Sequence, residues 1–256
     1  MKTDKLFVLA QLSDPHIGGA WAAADPLTRF RACVSAVSRS TVTPDAVIVT
    51  GDLADHGSTY EYALVRDELA AIGLPVFVVP GNHDDRVRLR ECFDLPGEGD
   101  APIDYTADLG ALRLLMLDST IPGEDGGDLD RDQLAWLDAK LRDAPARPTI
   151  LVMHHPPIRT GVSAYDSIVL DGSARLELAR ILGRNDHVLA ILSGHLHRPI
   201  ASTLGARAAL TAPSTYAQSR LDLSATELQL AEEEPPAFAI HTLLHGSFTS
   251  HVQVVI

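Results

Sequence analysis

The chain has 256 residues, of which 46% are hydrophobic, and a formal net charge of −13. This length and composition predict one domain with a sizeable core. The negative charge argues against a nucleic-acid polymer as a partner, because binding a phosphate backbone needs clustered Lys and Arg. No apolar run reaches transmembrane length, and the two cysteines, Cys33 and Cys92, are too few for a disulfide framework. We therefore expect a cytoplasmic protein that does not bind membranes.

Predicted strands and helices alternate over most of the chain. Continuous apolar runs predict five buried strands, at Phe7–Leu12, Ala46–Thr50, Val76–Val79, Ile150–Met153 and Val188–Leu192. Helical spacing behind capping residues predicts helices that begin at Asp25-Pro26 and at the capping box Ser58–Glu61, and that cover Arg86–Phe93, Asp130–Leu141 and Ser173–Leu182. A hairpin is predicted from Ile103–Ala107 and Leu112–Leu117.

After His197 the helical pattern gives way to strand runs, at Ala208–Ala212, Phe238–Leu244 and Ser250–Val255. We expect a core over residues 1–200. The strands of residues 201–256 are expected to complete the sheet and to form a lid or a dimer segment.

Polar residues follow the end of each of the five predicted strands. The groups are Asp14-Pro15-His16, Gly51-Asp52, Gly81-Asn82-His83-Asp84, His154-His155 and Gly194-His195-Leu196-His197. Open α/β sheets gather sites at the carboxyl ends of their strands, and Asp, Asn and His supply ligands suited to divalent metals. Each group alone is more often structural than a ligand. Their joint occurrence, each behind its own strand, predicts one shared metal site.

As a set, these motifs resemble the complete signature of the calcineurin-like binuclear metallophosphoesterases. The match spans positions 14 to 197, with all blocks in order. Four sequence blocks are similar to those of bacterial class III cyclic-nucleotide phosphodiesterases and glycerophosphodiesterases. They are residues 51–55, 81–86, 154–157 and 212–215. The resemblance implies an α/β fold, a four-layer αββα sandwich of two mixed β-sheets flanked by helices, with a C-terminal β-rich extension.

The resemblance also implies two divalent metal ions that share one bridging carboxylate. One ion would be held by Asp14, His16, Asp52 and His197. The other would be held by Asp52, Asn82, His154 and His195, so that Asp52 is the bridge. Histidine and carboxylate sites accept Mn, Fe, Co or Zn, and a mixed Fe/Mn or Fe/Zn pair is equally compatible. Such ions generate a bridging hydroxide near neutral pH, which attacks phosphorus in line.

His83 is the predicted catalytic histidine, because it adjoins the ligand Asn82 and could protonate or hydrogen-bond the leaving oxygen. A carboxylate should orient it. Asp55 is the first choice, since related phosphatases carry an Asp at the matching place, and Asp84 is the rival. Asn82 and His83 are expected to contact substrate as well.

Other side chains are candidates for the rim of the site. His56 is either a substrate contact or an exposed turn histidine. Tyr216 and Tyr165 have rings that could stack on a base or cover a glycerol, beside the Gly123–Gly127 loop. His155 is interpreted as buried support for the Pro156-Pro157 turn and His187 as a surface residue. His241, His245 and His251 are assigned to a lid or a subunit interface.

The sequence therefore predicts a metal-dependent phosphodiesterase that hydrolyses small diesters, either 3′,5′-cyclic nucleotides or glycerophosphodiesters. Few basic side chains adjoin the motifs, and a diester monoanion needs less neutralisation than a monoester dianion. A broad phosphomonoesterase with the same dimetal core is one alternative, and a non-catalytic scaffold of this fold is another. The apolar strands of the tail suggest a homodimer or a dimer-based oligomer.

Overall fold

The computed structural model describes residues 6–256. Its helices are α1 (Pro26–Ser38), α2 (Thr59–Ala70), α3 (Arg86–Phe93), α4 (Arg131–Asp143), α5 (Ser163–Asp166) and α6 (Gly172–Leu182). Its strands in the first half are β1 (Phe7–Leu12), β2 (Ala46–Thr50), β3 (Val76–Val79), β4 (Tyr105–Leu109), β5 (Leu112–Leu117) and β6 (Thr149–Met153). Those in the second half are β7 (Val188–Ser193), β8 (Ile200–Leu204), β9 (Arg207–Thr211), β10 (Gln218–Ser219), β11 (Leu230–Ala231), β12 (Ala237–Leu244) and β13 (Ser247–Val254).

The strands form two large mixed sheets. The first has the order β13-β12-β1-β2-β3, in which β1, β2 and β3 are parallel and β12 runs antiparallel to β1. The second has the order β4-β5-β6-β7-β9-β8, with parallel central strands and antiparallel pairs at both edges. Strands β10 and β11 form a separate two-stranded ribbon.

Three apolar clusters separate the layers. Leu9 and Ile48 of the first sheet meet Met116 and Ile150 of the second in a cluster between the sheets. A second cluster packs α1, α2 and α3 on the outer face of the first sheet, and a third packs α4 and α6 on the outer face of the second. The predicted αββα sandwich is therefore confirmed.

Local sequence signals account for most of the elements. Asp25 caps α1, and Ser58 and Asp130 each form a capping box, so these helices begin where the side chains predict. The first hairpin strand starts two residues later than expected, at Tyr105, whereas the second has the predicted bounds. Helix α5, strand β8 and the β10–β11 ribbon were not predicted from the sequence. Within residues 6–256, none of the helices has the length and hydrophobicity needed to span a bilayer.

The segment after residue 200 contributes to both sheets. Strands β8 and β9 belong to the second sheet, whereas β12 and β13 complete the first. The domain boundary at 200 and the lid or dimer role of the tail stay predictions.

A buried polar contact ties the two sheets together just before the first motif. The Gln11 side chain on β1 donates to Thr50 Oγ1 at 3.0 Å and to the Ser193 carbonyl on β7 at 2.9 Å. His241 on β12 donates through Nε2 to Gln11 Oε1 at 2.8 Å. Because Gln11 and Ser193 are fully or almost fully buried, this link fixes the distance between the sheets near their carboxyl ends.

Candidate metal centre

The loops that follow β1, β2, β3, β6 and β7 meet at one edge of the sandwich. Backbone hydrogen bonds hold them together: Asp14 N donates to Gly51 O at 3.1 Å, His16 N to Asp52 O at 2.9 Å, and Gly194 N to the His154 carbonyl at 3.1 Å. The first sheet supplies four of the predicted ligands and the second supplies three. The structure therefore brings together all seven predicted metal ligands, namely Asp14, His16, Asp52, Asn82, His154, His195 and His197.

The first predicted metal site is a compact, buried cluster. Ligand atoms of Asp14, His16, Asp52 and His197 all lie within 4.8 Å of one another. His16 donates through Nδ1 to the Asp55 carboxylate and His197 through Nδ1 to the Ala217 carbonyl, each at 2.9 Å. Both rings therefore turn an unprotonated Nε2 into the cluster.

The second predicted site adjoins the first. His154 donates through Nδ1 to the Thr50 carbonyl at 2.8 Å, and its Nε2 lies 3.0 Å from both Asn82 Oδ1 and His195 Nδ1. Asp52 Oδ2 is 3.4 Å from this nitrogen and 3.3 Å from His16 Nε2. One oxygen of Asp52 thus faces both clusters, as the predicted bridging role requires.

The backbone at this edge is strained. Asp14, His16, Asp52, His195 and His197 have positive φ angles of 51°, 43°, 50°, 69° and 48°. Such angles are uncommon outside glycine, cost roughly 1–3 kcal/mol each and concentrate at functional sites. A side chain at Gly194 would collide with Ser13 Oγ and the Asp14 carboxylate, so only glycine permits the approach of the β7 loop to the β1 loop.

The charges in the cluster depend on burial and on one another. Burial raises the pKa of Asp14 to about 6, against the opposing charge of His154. Burial opposes ionisation of Asp52, but His154 and His16 outweigh it and hold the pKa of Asp52 well below its usual range. Burial also opposes protonation of His154, yet Asp52 raises the pKa of His154 to about 9. Burial lowers the pKa of His197 to about 4.

These donors fit divalent cations. The Nε2 atoms of His16 and His197 are 3.1 Å apart, and two unprotonated nitrogens at that distance repel unless a cation lies between them. In the second cluster, the proton on His154 occupies the place where a cation would bind, so metal uptake would release it. Carboxylate, imidazole and amide ligands together suit Mn, Fe, Co or Zn.

His83 lies at the mouth of the metal centre, but its partner differs from the prediction. Its Nδ1 donates to the Asp55 backbone carbonyl at 3.0 Å and lies 3.7 Å from the Asp55 carboxylate. That carboxylate instead accepts from His16 Nδ1 and from Trp21 Nε1, each at 2.9 Å. Asp55 therefore orients His83 through its main chain and the ligand His16 through its side chain.

Asp84, the alternative partner predicted for His83, instead binds backbone amides of the neighbouring loops. It is fully engaged with the loops, accepting from the amides of Leu53, Ala54 and Gly81 and from the Tyr62 hydroxyl. Asp84 thus joins the β2 loop to the β3 loop and does not hydrogen-bond the His83 ring.

The remaining histidines fall into separate environments. His56 is exposed and donates through Nδ1 to Glu61 Oε1 at 2.8 Å, within a cavity that His83 also lines. His155 is buried as expected, and its amide and ring contact Ser119 Oγ. One ring nitrogen from each of His154, His155 and His195 lies within 4.8 Å of the other two. His187 is half-buried, not a surface residue, because Val188 starts the strand directly after it.

One of the tail histidines differs from its assignment. His241 is buried against Gln11, so it cannot belong to a lid or a subunit interface. His245 lies in the turn between β12 and β13, and His251 is exposed on β13.

Tyr216 does not contact the cavity as predicted. Its ring is completely buried, packed 4.5 Å from the Trp21 ring, and its hydroxyl accepts from Ala22 N at 3.1 Å. Tyr165 is also buried, and its hydroxyl donates to the Arg220 carbonyl. The aromatic side chain that faces the cavity is Trp21, which the sequence analysis overlooked. The signal for it was a lone Trp among small residues, five positions after His16.

Two cavities open on either side of His83. One, of about 280 Å³, is lined by the metal-centre histidines together with Trp21, Ile168, Leu228 and Leu230. The other, of about 310 Å³, is lined mainly by polar side chains, including His56, Arg86 and Arg88. Asn82 and His83 line both cavities, so the metal centre lies where the two meet.

The arginines near the centre are already paired. Arg88, which lines the second cavity, binds the Gly57 carbonyl and the Asp85 carboxylate. Arg86 binds the Asp118 carboxylate and the carbonyls of Asp100 and Thr120. Arg198 binds the Ser219 carbonyl and the Glu234 carboxylate. None of these guanidinium groups is free to neutralise a substrate phosphate.

Comparison with known proteins agrees with this geometry. Residues 7–199 match the model of the family described as calcineurin-like phosphoesterase. The chain is 31% identical over 240 residues to a protein of Arcobacter nitrofigilis named probable glycerophosphodiester phosphodiesterase GpdQ, covering 91% of this chain and 88% of that protein. It is 34% identical over 221 residues to a cAMP/cGMP dual specificity phosphodiesterase of Mycobacterium tuberculosis, covering 83% and 69%.

Among solved structures, a dimetal phosphatase from Danio rerio has a similar fold. The two superpose with a TM-score of 0.75 at 17% identity, covering 98% of this chain and 96% of that one.

Proposed function

The chain belongs to the calcineurin-like phosphoesterase family, and we propose that it is a metal-dependent phosphodiesterase acting on small diesters such as cyclic nucleotides or glycerophosphodiesters. The observation that carries this proposal is the pair of cavities that meet at Asn82 and His83. A diester has two substituents on phosphorus, and each cavity can receive one of them. A monoester would leave one cavity empty.

The two clusters would hold two divalent cations, one at Asp14, His16, Asp52 and His197 and the other at Asp52, Asn82, His154 and His195. When bound, such cations activate water near neutral pH and neutralise phosphate oxygens. We propose Mn, Fe, Co or Zn in these positions, including mixed Fe/Mn or Fe/Zn pairs, because the donor set accepts all of them.

The side chains around the cations have separate tasks. Asp55 and the Ala217 carbonyl each hold a proton on the Nδ1 of a ligand histidine, which fixes the ring and its tautomer. His83 Nδ1 donates to the Asp55 carbonyl, which leaves its Nε2 to hydrogen-bond or protonate the leaving oxygen. Burial lowers the pKa of His83, but the negative charge of Asp52 outweighs it and raises that pKa above its usual value.

The local charges also favour a diester. Arg86 and Arg198 are engaged with carboxylates and carbonyls, so little positive charge beyond that of the cations is available. A diester monoanion requires less neutralisation than a monoester dianion.

The test compares bis(p-nitrophenyl) phosphate with p-nitrophenyl phosphate, which share one leaving group, at one pH and with Mn²⁺ in both assays. We expect the diester to have the higher kcat/KM. A monoester preference of tenfold or more, about 1.4 kcal/mol in transition-state stabilisation, would support the phosphomonoesterase alternative. No turnover of either ester with Mn, Fe, Co or Zn would support the non-catalytic scaffold.

We further propose a homodimer formed through β13. This strand is the edge of the first sheet and exposes Val252 and Val254, and exposed edge strands favour pairing between chains. We also propose a cytoplasmic location, which the free thiols of Cys33 and Cys92 support, because cysteines in reducing compartments stay unpaired.

A further inference from the structure

Trp21 is a fixed aromatic surface on the loop after β1. Its Nε1 donates to the Asp55 carboxylate at 2.9 Å, and its ring packs 4.5 Å from the buried ring of Tyr216. The Tyr216 hydroxyl in turn holds Ala22, the next residue of the same loop. The indole is nevertheless 38% exposed, so a large aromatic ring is presented to the cavity in a defined orientation.

The Trp21 ring lies close to the candidate metal centre. Its centroid lies 5.2 Å from the His16 ring and 5.8 Å from the His197 ring, both predicted ligands of the first cation. If the first cluster holds the phosphate, a ring attached to that phosphate through only a few bonds can therefore contact the indole.

Three aliphatic side chains line the same cavity as Trp21. They are Ile168, Leu228 just before the β10–β11 ribbon and Leu230 in its strand β11, and Asp125 and Ser219 also line the cavity. Leu228 is 52% exposed, so its side chain is accessible to a ligand in the cavity. The indole ring and these aliphatic side chains together give the cavity an apolar part suited to a flat apolar group.

The second cavity differs in its aromatic and cationic groups. Among the residues that the structure describes, its lining contains no Trp, Tyr or Phe, and the guanidinium groups of Arg86 and Arg88 lie along it. The two substituents of a diester therefore meet different surroundings, and only one of them has an indole ring.

We propose that the apolar part of the Trp21 cavity, beside the leucines at the β10–β11 ribbon, is a subsite for a flat aromatic substituent of the diester. This substituent, an aryl or nucleobase-like ring, stays on the phosphate after hydrolysis. The proposal rests on the proposed phosphodiesterase function and narrows it toward nucleotide-like diesters and away from glycerophosphodiesters. Trp21 would then be a specificity-determining residue.

The first experiment keeps the leaving group constant and varies the retained substituent. The Mn²⁺-loaded enzyme is assayed with p-nitrophenyl phenyl phosphate and p-nitrophenyl methyl phosphate. Stacking on an aromatic side chain predicts about a tenfold higher kcat/KM for the phenyl ester. Trp21→Ala should abolish this preference, whereas Trp21→Phe should retain most of it. Both variants lose the hydrogen bond to Asp55. The difference between their preferences for the phenyl ester therefore measures the contribution of the aromatic ring at position 21.

The contribution of the aliphatic side chains is tested in the same assay. Leu228→Ala combined with Leu230→Ala should also reduce the preference for the phenyl ester. Leu176→Ala is the matched control, because Leu176 is 61% exposed on α6.

The second experiment measures binding without turnover. The sequence contains two tryptophans, Trp21 and Trp136, so Trp136→Phe leaves Trp21 as the sole indole reporter. Phenyl phosphate should change the Trp21 fluorescence of the Mn²⁺-loaded protein at concentrations that inhibit diester hydrolysis. Methyl phosphate should inhibit with little change.

The outcomes separate the two proposals. Hydrolysis of both diesters at equal kcat/KM, or an equal loss on both in Trp21→Ala, would overturn the subsite and leave the phosphodiesterase function intact. No hydrolysis of either diester would overturn the function and the subsite together.

Discussion

The Asp55 carboxylate accepts a hydrogen bond from His16 Nδ1 at 2.9 Å, and this contact links it to the first metal cluster and not to the His83 ring. Because such partners fix the orientation of a ligand histidine, Asp55→Ala should weaken binding of one Mn²⁺ by about 10- to 100-fold. Isothermal titration calorimetry measures this loss. Asp67→Ala is the control, since Asp67 is exposed and pairs with Arg66, away from the metal cluster. Unchanged Mn²⁺ affinity together with a selective loss on poor leaving groups would restore the original assignment to His83.

Asp52 faces both clusters, so its removal should affect both ions. Wild-type protein reconstituted with Mn²⁺ is expected to bind two ions per chain, and Asp52→Ala should lose most activity and bind fewer. Elemental analysis after desalting measures the count, with Asp67→Ala again as control. A single ion in the wild type at saturation would contradict the binuclear site.

His83→Ala should lower kcat most for substrates with poor leaving groups. If His83 supports the leaving oxygen, the variant should lose roughly 10²–10⁴-fold in kcat on diesters with alkoxide leaving groups. It should lose much less on p-nitrophenyl esters, because their phenolate leaves without help. His251→Ala, an exposed substitution on β13, controls for loss of a histidine. Equal losses on both substrate classes would remove the assigned role.

His241 should make the fold sensitive to acid. Burial, with the charge of His251 acting in the same direction, lowers the pKa of His241 to about 3, compared with about 6.5 when unfolded. Between these values the unfolded chain binds the extra proton, so stability is complete above pH 6.5 and falls as the pH drops toward 3. At pH 5 this one group should lower the free energy of unfolding by about 2 kcal/mol.

His241→Gln keeps a donor toward Gln11 but does not titrate, so it tests that expectation. The difference in unfolding free energy between pH 7 and pH 5 should shrink by about 2 kcal/mol in urea denaturation. His251→Gln should change it far less. A variant with the wild-type pH dependence would show that His241 is not responsible.

The homodimer prediction depends on the exposed edge strand. At micromolar concentration, light scattering should give the mass of two chains, and Val252→Lys with Val254→Lys should give one, because edge lysines oppose strand pairing. Leu176→Lys on α6 should leave the mass unchanged. A monomeric wild type would exclude the dimer at that concentration.

The fold and the clustering of the candidate ligands could be predicted because their signals are local. Buried parallel strands are continuous apolar runs, and a polar residue directly after such a run lies at the sheet edge where sites form. Candidate ligands such as Asp52 and His154 therefore stood out together, each behind its own strand. The pairing of β12 with β1 could not be read in this way, because Leu9 and His241 meet only in the folded chain.

The roles around the site were harder to predict for the same reason. Whether the Asp55 side chain reaches His83 or His16 depends on a turn whose geometry no spacing rule specifies. Tyr216 and Trp21 are both aromatic and both near the site, yet one covers the other. Only the packed structure decides which of the two rings is exposed to the cavity.

The pairing of β1 with β12 has a consequence for the synthesis and folding of the protein. β1 is the middle strand of the first sheet, and its partner on one side is made more than two hundred residues later, as the pairing of Leu9 with His241 shows. During synthesis, β12 is made after every candidate ligand up to His197. Open strand edges invite association between nascent chains, and distant pairings slow folding. A strand that carries none of the candidate ligands is therefore needed to complete the sheet from which four of them extend.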